Sequence, residues 1–187
     1  MVPPDSPSLE EKIVEAAIAA PPVPQRSMFY SKSWTSFGAI MATLAVALGA
    51  FGAHGADEYF ADLYARAEPI TVAGLRIPAA YKRLQDYNTA AQYHMYHALA
   101  LMVVGLLSRV QPKKSLQLAG WSFLLGIMLF SGSLYYLALT GAWWLVMITP
   151  FGGALFIVGW IALAVAALPT GRETEPSDDL IPDDLLG

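Results

Sequence analysis

The chain has 187 residues, 56% of them hydrophobic and 14% charged, with a net charge of −4 and a mean hydropathy of +0.46. That is too apolar for an ordinary soluble domain of this length; the net charge says little about partners, because the acids sit mainly in the two tails, and nucleic acid is not an expected ligand. The absence of cysteine excludes disulfides, thiolate metal sites and cysteine-based catalysis.

In chain order, residues 1–33 form an N-terminal extension. Ser8-Leu9-Glu10-Glu11 reads as a capping box opening a short surface helix, with Ile13, Val14, Ala17 and Ile18 on one face. Pro21-Pro22-Val23-Pro24 then stops it as a stiff linker. Residues 34–168 carry four apolar stretches, about 34–53, 89–107, 116–139 and 143–168. Each approaches or exceeds the roughly 20 residues that cross a bilayer, and every Lys, Arg, Asp and Glu lies outside them, as the cost of an ion in hydrocarbon demands. The expected fold is all-α, a four-helix transmembrane bundle. Residues 55–88 are the one long internal connection, with an interfacial helix expected over 57–67. By contrast, Thr140-Gly141-Ala142 makes the last two spans an antiparallel hairpin. The acidic tail, 169–187, reads as disordered.

Four crossings place both termini and the Arg109–Lys114 loop on one side. Arg26, Lys32, Arg109, Lys113, Lys114 and Arg172 lie there near span ends, against Arg66, Arg76, Lys82 and Arg83 in the longer opposite loop. Positive charge on short loops marks the inside, so both termini are expected to be cytoplasmic. Trp34, Trp121 and Trp160 then fall toward the inner interface, and Trp143, Trp144 and Tyr87 toward the outer one. A cleaved signal peptide does not fit, because some thirty polar and acidic residues precede the first apolar stretch.

The same threading brings polar residues from four helices to one depth in the outer half: His54, His94, His97, Ser131, Ser133, Tyr135 and Thr149-Pro150. One reading is an interhelical hydrogen-bond network that also serves the carbonyl freed by Pro150, near Val146. The other is a ligand site, with His97, alone or with His54, holding a haem or chlorin through imidazole. A metal on His94 and His97 lacks a carboxylate to complete its shell, and a proton or solute path lacks any charged residue in a span. Small residues mark packing faces. Ala45, Gly49 and Ala53 recur every four residues, Gly49, Gly52 and Gly55 form a second row, Ser122 and Gly126 repeat the spacing, and Gly132, Gly152 and Gly153 follow.

Leu48-Gly49-Ala50-Phe51-Gly52-Ala53-His54-Gly55, Tyr93-His94-Met95-Tyr96-His97-Ala98-Leu99-Ala100, Leu129-Phe130-Ser131-Gly132-Ser133-Leu134-Tyr135, Thr149-Pro150-Phe151-Gly152-Gly153 and Gly159-Trp160 resemble, in order, the signatures of the YgdD/YwdK-like small inner-membrane proteins, the domain of unknown function four-two-three. The resemblance covers about 37–168. It implies a four-helix bacterial inner-membrane protein without established activity. His54 and His97 match recurrent family positions, and His94 falls where some relatives carry glutamine. The N-terminal extension, the longer 55–88 loop and the acidic tail depart from the family's shorter form. The expected role is that of a non-catalytic accessory or interaction subunit of a larger membrane complex. It would contact lipid and, through extension, loop and tail, other subunits, with no cofactor. The alternative is a membrane protein that binds a haem, chlorin or small apolar ligand through His97.

Overall fold

A computed structural model of the protein describes residues 8–19 and 25–168. The Pro-rich linker and the acidic tail expected to be disordered lie outside these residues. Helix α1, Leu9–Ala19, opens on the expected capping box: the Ser8 amide donates to Glu11 Oε2 at 2.7 Å and the Glu11 amide to Ser8 Oγ at 3.2 Å.

Four helical stretches are long and apolar enough to cross a membrane: Ser33–His54, Ala79–Val110, Lys114–Thr140 and Trp143–Ala167. The first belongs to α2, Gln25–His54, which begins well before the expected span. The second is α4, Ala79–Val110. The third is α5, Lys114–Gly126, a single π turn, Ile127–Ser131, and α6, Gly132–Thr140. The fourth opens with a 3-10 turn, Trp143–Met147, and continues as α7, Thr149–Ala167. Between α2 and α4 lie α3, Ala56–Leu63, and a small antiparallel hairpin, β1 (Ile70–Val72) and β2 (Leu75–Ile77). Ala73 and Gly74 both have positive φ, 50° and 81°, so the hairpin turns on two left-handed residues, as right-twisted strands require.

Helix α4 is the hub, packed against α2 on one side and the third span on the other, while α7 packs on the third span. Accordingly 44% of the apolar window of α4 is buried, against 17% for α2. Close approach occurs where a side chain is missing. A Cβ on Gly38 would meet the Met102 and Ala98 main chain, one on Gly105 the Thr35 main chain, and one on Gly159 the Phe123 ring. One apolar core gathers Trp34, Leu101, Val104, Leu116, Phe123 and Phe156. A smaller one, Ala56, Phe60, Tyr87 and Ala138, seats α3 against the bundle.

Span ends are closed by specific partners. Gly141, in the left-handed region at φ 70°, ends α6 and donates its N–H to the Leu137 carbonyl at 2.8 Å. At the opposite edge Lys113 Nζ donates to the Ala166 and Leu168 carbonyls at 2.6 and 2.9 Å, a cation on the negative end of the α7 dipole. Trp34, 3% exposed, donates its indole N–H to Gln117 Oε1 at 2.9 Å.

Candidate functional site

The polar residues are divided among separate contacts rather than pooled in one cavity. His97 Nδ1 lies 2.8 Å from the Tyr93 carbonyl one turn earlier. A carbonyl only accepts, so Nδ1 carries the proton and Nε2 is left as acceptor. Trp160 supplies the donor, its Nε1–H reaching Nε2 at 3.2 Å. Both imidazole nitrogens are therefore engaged. The ring also lies face to face with Phe156, centroids 3.4 Å apart and planes 5° apart. Trp160 is thus placed at the level of His97.

A second pairing joins the last two spans. Ser133 Oγ and Thr149 Oγ1 are 2.8 Å apart. Each hydroxyl has one proton, so one of them donates to the other, and the one that accepts donates to its own carbonyl, Ser133 to Phe130 at 2.9 Å or Thr149 to Leu145 at 3.1 Å. Pro150 falls in the first turn of α7, where a helix has no use for the missing N–H. The break expected inside a continuous span is instead the junction between the 3-10 turn and α7.

His94 and Ser131 are buried, 5% and 0% exposed. Tyr135 approaches His94 Nδ1 at 3.5 Å, while His94 Nε2 and Ser131 Oγ have no hydrogen-bond partner. His54 is exposed at the end of α2 and is not brought into the cluster, which removes the pairing of His54 with His97 across a macrocycle. Among the described residues no group of three or more His, Cys, Asp or Glu converges on a metal-sized site.

The glycines separate in the same way. Gly152 meets the main chain of Leu129 and Phe130 in the π turn, Gly126 meets the Phe156 ring, and Gly52 meets Asn88 and Tyr87. Ala45 is buried. Around Gly49 there is open space, Ala53 is exposed, and Gly132 and Gly153 have only ordinary contacts near 3.9 and 3.8 Å. The ladder expected over Ala45, Gly49 and Ala53 therefore contributes only Ala45 to the core; Gly38 and Gly105 make the closest α2–α4 approaches instead.

A cluster that sequence reasoning passed over sits at the start of α4. That helix has 32 residues, about 48 Å at 1.5 Å each, so its first turns stand at the membrane edge beyond a core about 30 Å thick. There Asp86, 8% exposed, places Oδ1 against Lys82 Nζ and Oδ2 at 3.1 Å from Arg83 Nη1. The cue was legible as cations three and four residues before an acid. Tyr64, at the end of α3, donates its hydroxyl to the Ala138 carbonyl at 2.8 Å. Burial pushes that phenol above its ordinary value, with the neighbouring Arg83 pulling it down.

Two concavities flank these groups. A groove of 920 Å³ between α4 and α7 is lined by Tyr93, Tyr96, His97, Phe130, Phe156 and Trp160. A second, of 570 Å³, lies among the hairpin, the start of α4, α6 and the start of α7, and Phe130 and Pro150 line both.

Together these features define a four-span integral membrane protein whose buried polar groups mostly pair between and within helices. The "Protein of unknown function (DUF423)" family model matches residues 48–153. The UPF0382 membrane protein YwdK of Bacillus subtilis (strain 168) is 44% identical over 138 residues, 73% of this chain and 97% of that one. A UPF0382 membrane protein of Staphylococcus epidermidis is 40% identical over 137 residues, 73% of this chain and 96% of its own. One of Haemophilus influenzae is 40% identical over 119 residues, 64% and 80% of the two chains. The chain belongs to the DUF423 family. No solved structure matches it significantly.

Proposed function

We propose that the protein is a non-catalytic accessory subunit of a larger complex in the bacterial inner membrane, with both termini cytoplasmic. The orientation rests on the Lys and Arg residues near the ends of the short loops. The observation that carries the subunit reading is the state of α2. This span packs chiefly on α4, with Trp34 reaching α5 at one end and α3 packing at the other, and its outward face exposes Ala39, Thr43 and Ala47 at four-residue intervals. Thr43 folds its hydroxyl back onto the Ala39 carbonyl at 3.0 Å, which leaves a smooth surface of the kind that lets a second helix approach closely. The interior supports the non-catalytic part, since the His97 nitrogens and the Ser133 and Thr149 hydroxyls are spent on the bundle. In mild detergent the full chain is expected to co-purify with other membrane chains at fixed stoichiometry, and Ala47→Leu to release it as a solitary protein. A solitary wild-type chain refutes the reading.

A second reading, an apolar ligand seated in the α4–α7 groove, is supported by the aromatic lining around His97. Such a ligand meets the groove's ring faces. Haem or chlorin ligation instead requires His97 to give up its bond from Trp160, and an absorption band lost in His97→Ala is the observation that favours it.

A further inference from the structure

We propose that the 570 Å³ cavity at the membrane edge binds the headgroup phosphate and upper acyl chain of an anionic phospholipid. Its lining is divided by polarity. Lys82, Arg83 and Asp86 line one part, and Leu134, Val146 and Pro150 are among the apolar residues of the other. Two cations against one acid leave one uncompensated positive charge. Asp86 has already committed one oxygen to each cation, so it has no further compensation to give. The Arg83 side chain is 14% exposed, and its buried Nε–H has no hydrogen-bond partner. An unmade bond on a buried charged donor is costly, and a phosphate oxygen is the acceptor that a guanidinium fork matches best.

Depth selects a lipid over a soluble anion. The charges lie within the first eight residues of α4, at the hydrocarbon boundary, and the exposed Trp143 and Trp144 of the adjacent 3-10 turn mark an interfacial level. Phe130 and Pro150 carry the apolar part of the cavity into the α4–α7 groove, so a chain attached to the phosphate has a surface to follow inward. Inorganic phosphate would use the polar end alone.

The test uses the full chain in neutral detergent, with phosphatidylglycerol, phosphatidylcholine or inorganic phosphate added, and reads bound lipid by native mass spectrometry alongside the melting temperature. Phosphatidylglycerol is expected to bind and raise the melting temperature, and phosphatidylcholine to bind at least about fivefold more weakly, the worth of one basic side chain near an anionic lipid. Arg83→Gln is expected to weaken phosphatidylglycerol by about the same factor, while Arg66→Gln, an exposed cation on the same loop, leaves it unchanged. Val146→Trp fills the apolar end from a position 54% exposed, so the fold tolerates it, and it too is expected to weaken phosphatidylglycerol; it carries the test should Arg83→Gln not fold. Equal binding of the two lipids, equal loss in Arg66→Gln and Arg83→Gln, or unchanged binding in Val146→Trp overturns the proposal. A stabilisation by inorganic phosphate equal to that by phosphatidylglycerol also overturns it, in favour of a free anion.

Discussion

The His97–Trp160 bond makes a quantitative prediction because each partner can be removed alone. His97→Ala deletes the acceptor for the Trp160 N–H and the ring stacked on Phe156. A hydrogen bond between membrane helices is worth about 0.6 kcal/mol on average and at most about 1.7, and an aromatic pair adds about 0.5 to 1.5 beyond its buried area. His97→Ala is therefore expected to cost about 2 kcal/mol. Trp160→Phe keeps an aromatic body near Phe123, with which Trp160 now packs edge-on, but removes the donor. The informative quantity is the coupling: the double variant should be less destabilised than the two single costs together, by about 0.6 to 1.7 kcal/mol. Reversible unfolding in mixed micelles, followed by helical circular dichroism, measures all four corners of the cycle. Additivity within about 0.5 kcal/mol, the agreement found for independent sites, would mean that the two side chains do not interact and would remove the argument that His97 is spent on the bundle.

Two further substitutions test neighbouring features. Gly152→Ala places a Cβ 2.8 Å from the main-chain carbon of Leu129, whereas Gly153→Ala meets only the Phe130 ring, at 3.8 Å; the first should lose about 1 to 3 kcal/mol to overpacking and the second almost nothing, and equal melting temperatures in detergent would contradict the helix contact. Tyr64→Phe should lose about 1 kcal/mol with the bond to Ala138. Because burial raises the Tyr64 phenol above its unfolded value near 10, its contribution is complete below pH 10 and fades as pH climbs through the raised value. Denaturation profiles between pH 9 and 12 should therefore fall less steeply in Tyr64→Phe, and parallel profiles would count against this burial.

The four spans were legible because bilayer thickness imposes a length and a composition that few residues disguise, and the Ser8–Glu11 capping box was legible because it is local. The contact partners were not. Depth along a helix follows from counting residues, but azimuth depends on which neighbour a helix finds, so His54 and His97 shared a level in the reading while only His97 faces inward. The same uncertainty chose Gly49 and Ala53 over Gly38 and Gly105, since all four look alike as small residues at helical spacing. The hairpin is weakly signalled because Ala73-Gly74 is a poorer turn signal than Asn-Gly, and the Asp86 cluster because it lies beyond the uncharged span, on the part of α4 that outruns it.

Gly152, Pro150 and the π turn are best understood as one device. A π turn inserts a residue and so rotates everything after it relative to a regular helix, which changes the azimuth of Ser133 and Tyr135 with respect to Phe123 and Gly126. Such a turn leaves backbone poorly covered, and the main chain of α7 arrives there because Gly152 has no side chain to hold it off. For α7 to begin at that height its first turn must start at Thr149, and Pro150, fixed in φ and needing no donor, sets that start. Ser133 and Thr149 then close the junction at 2.8 Å. Phe130, inside the π turn, and Pro150, at the start of α7, are also the residues shared by the apolar groove and the charged cavity. Restoring regular helix by deleting one residue of the π turn should therefore disturb both concavities at once, while substitution of any single lining residue need disturb only one.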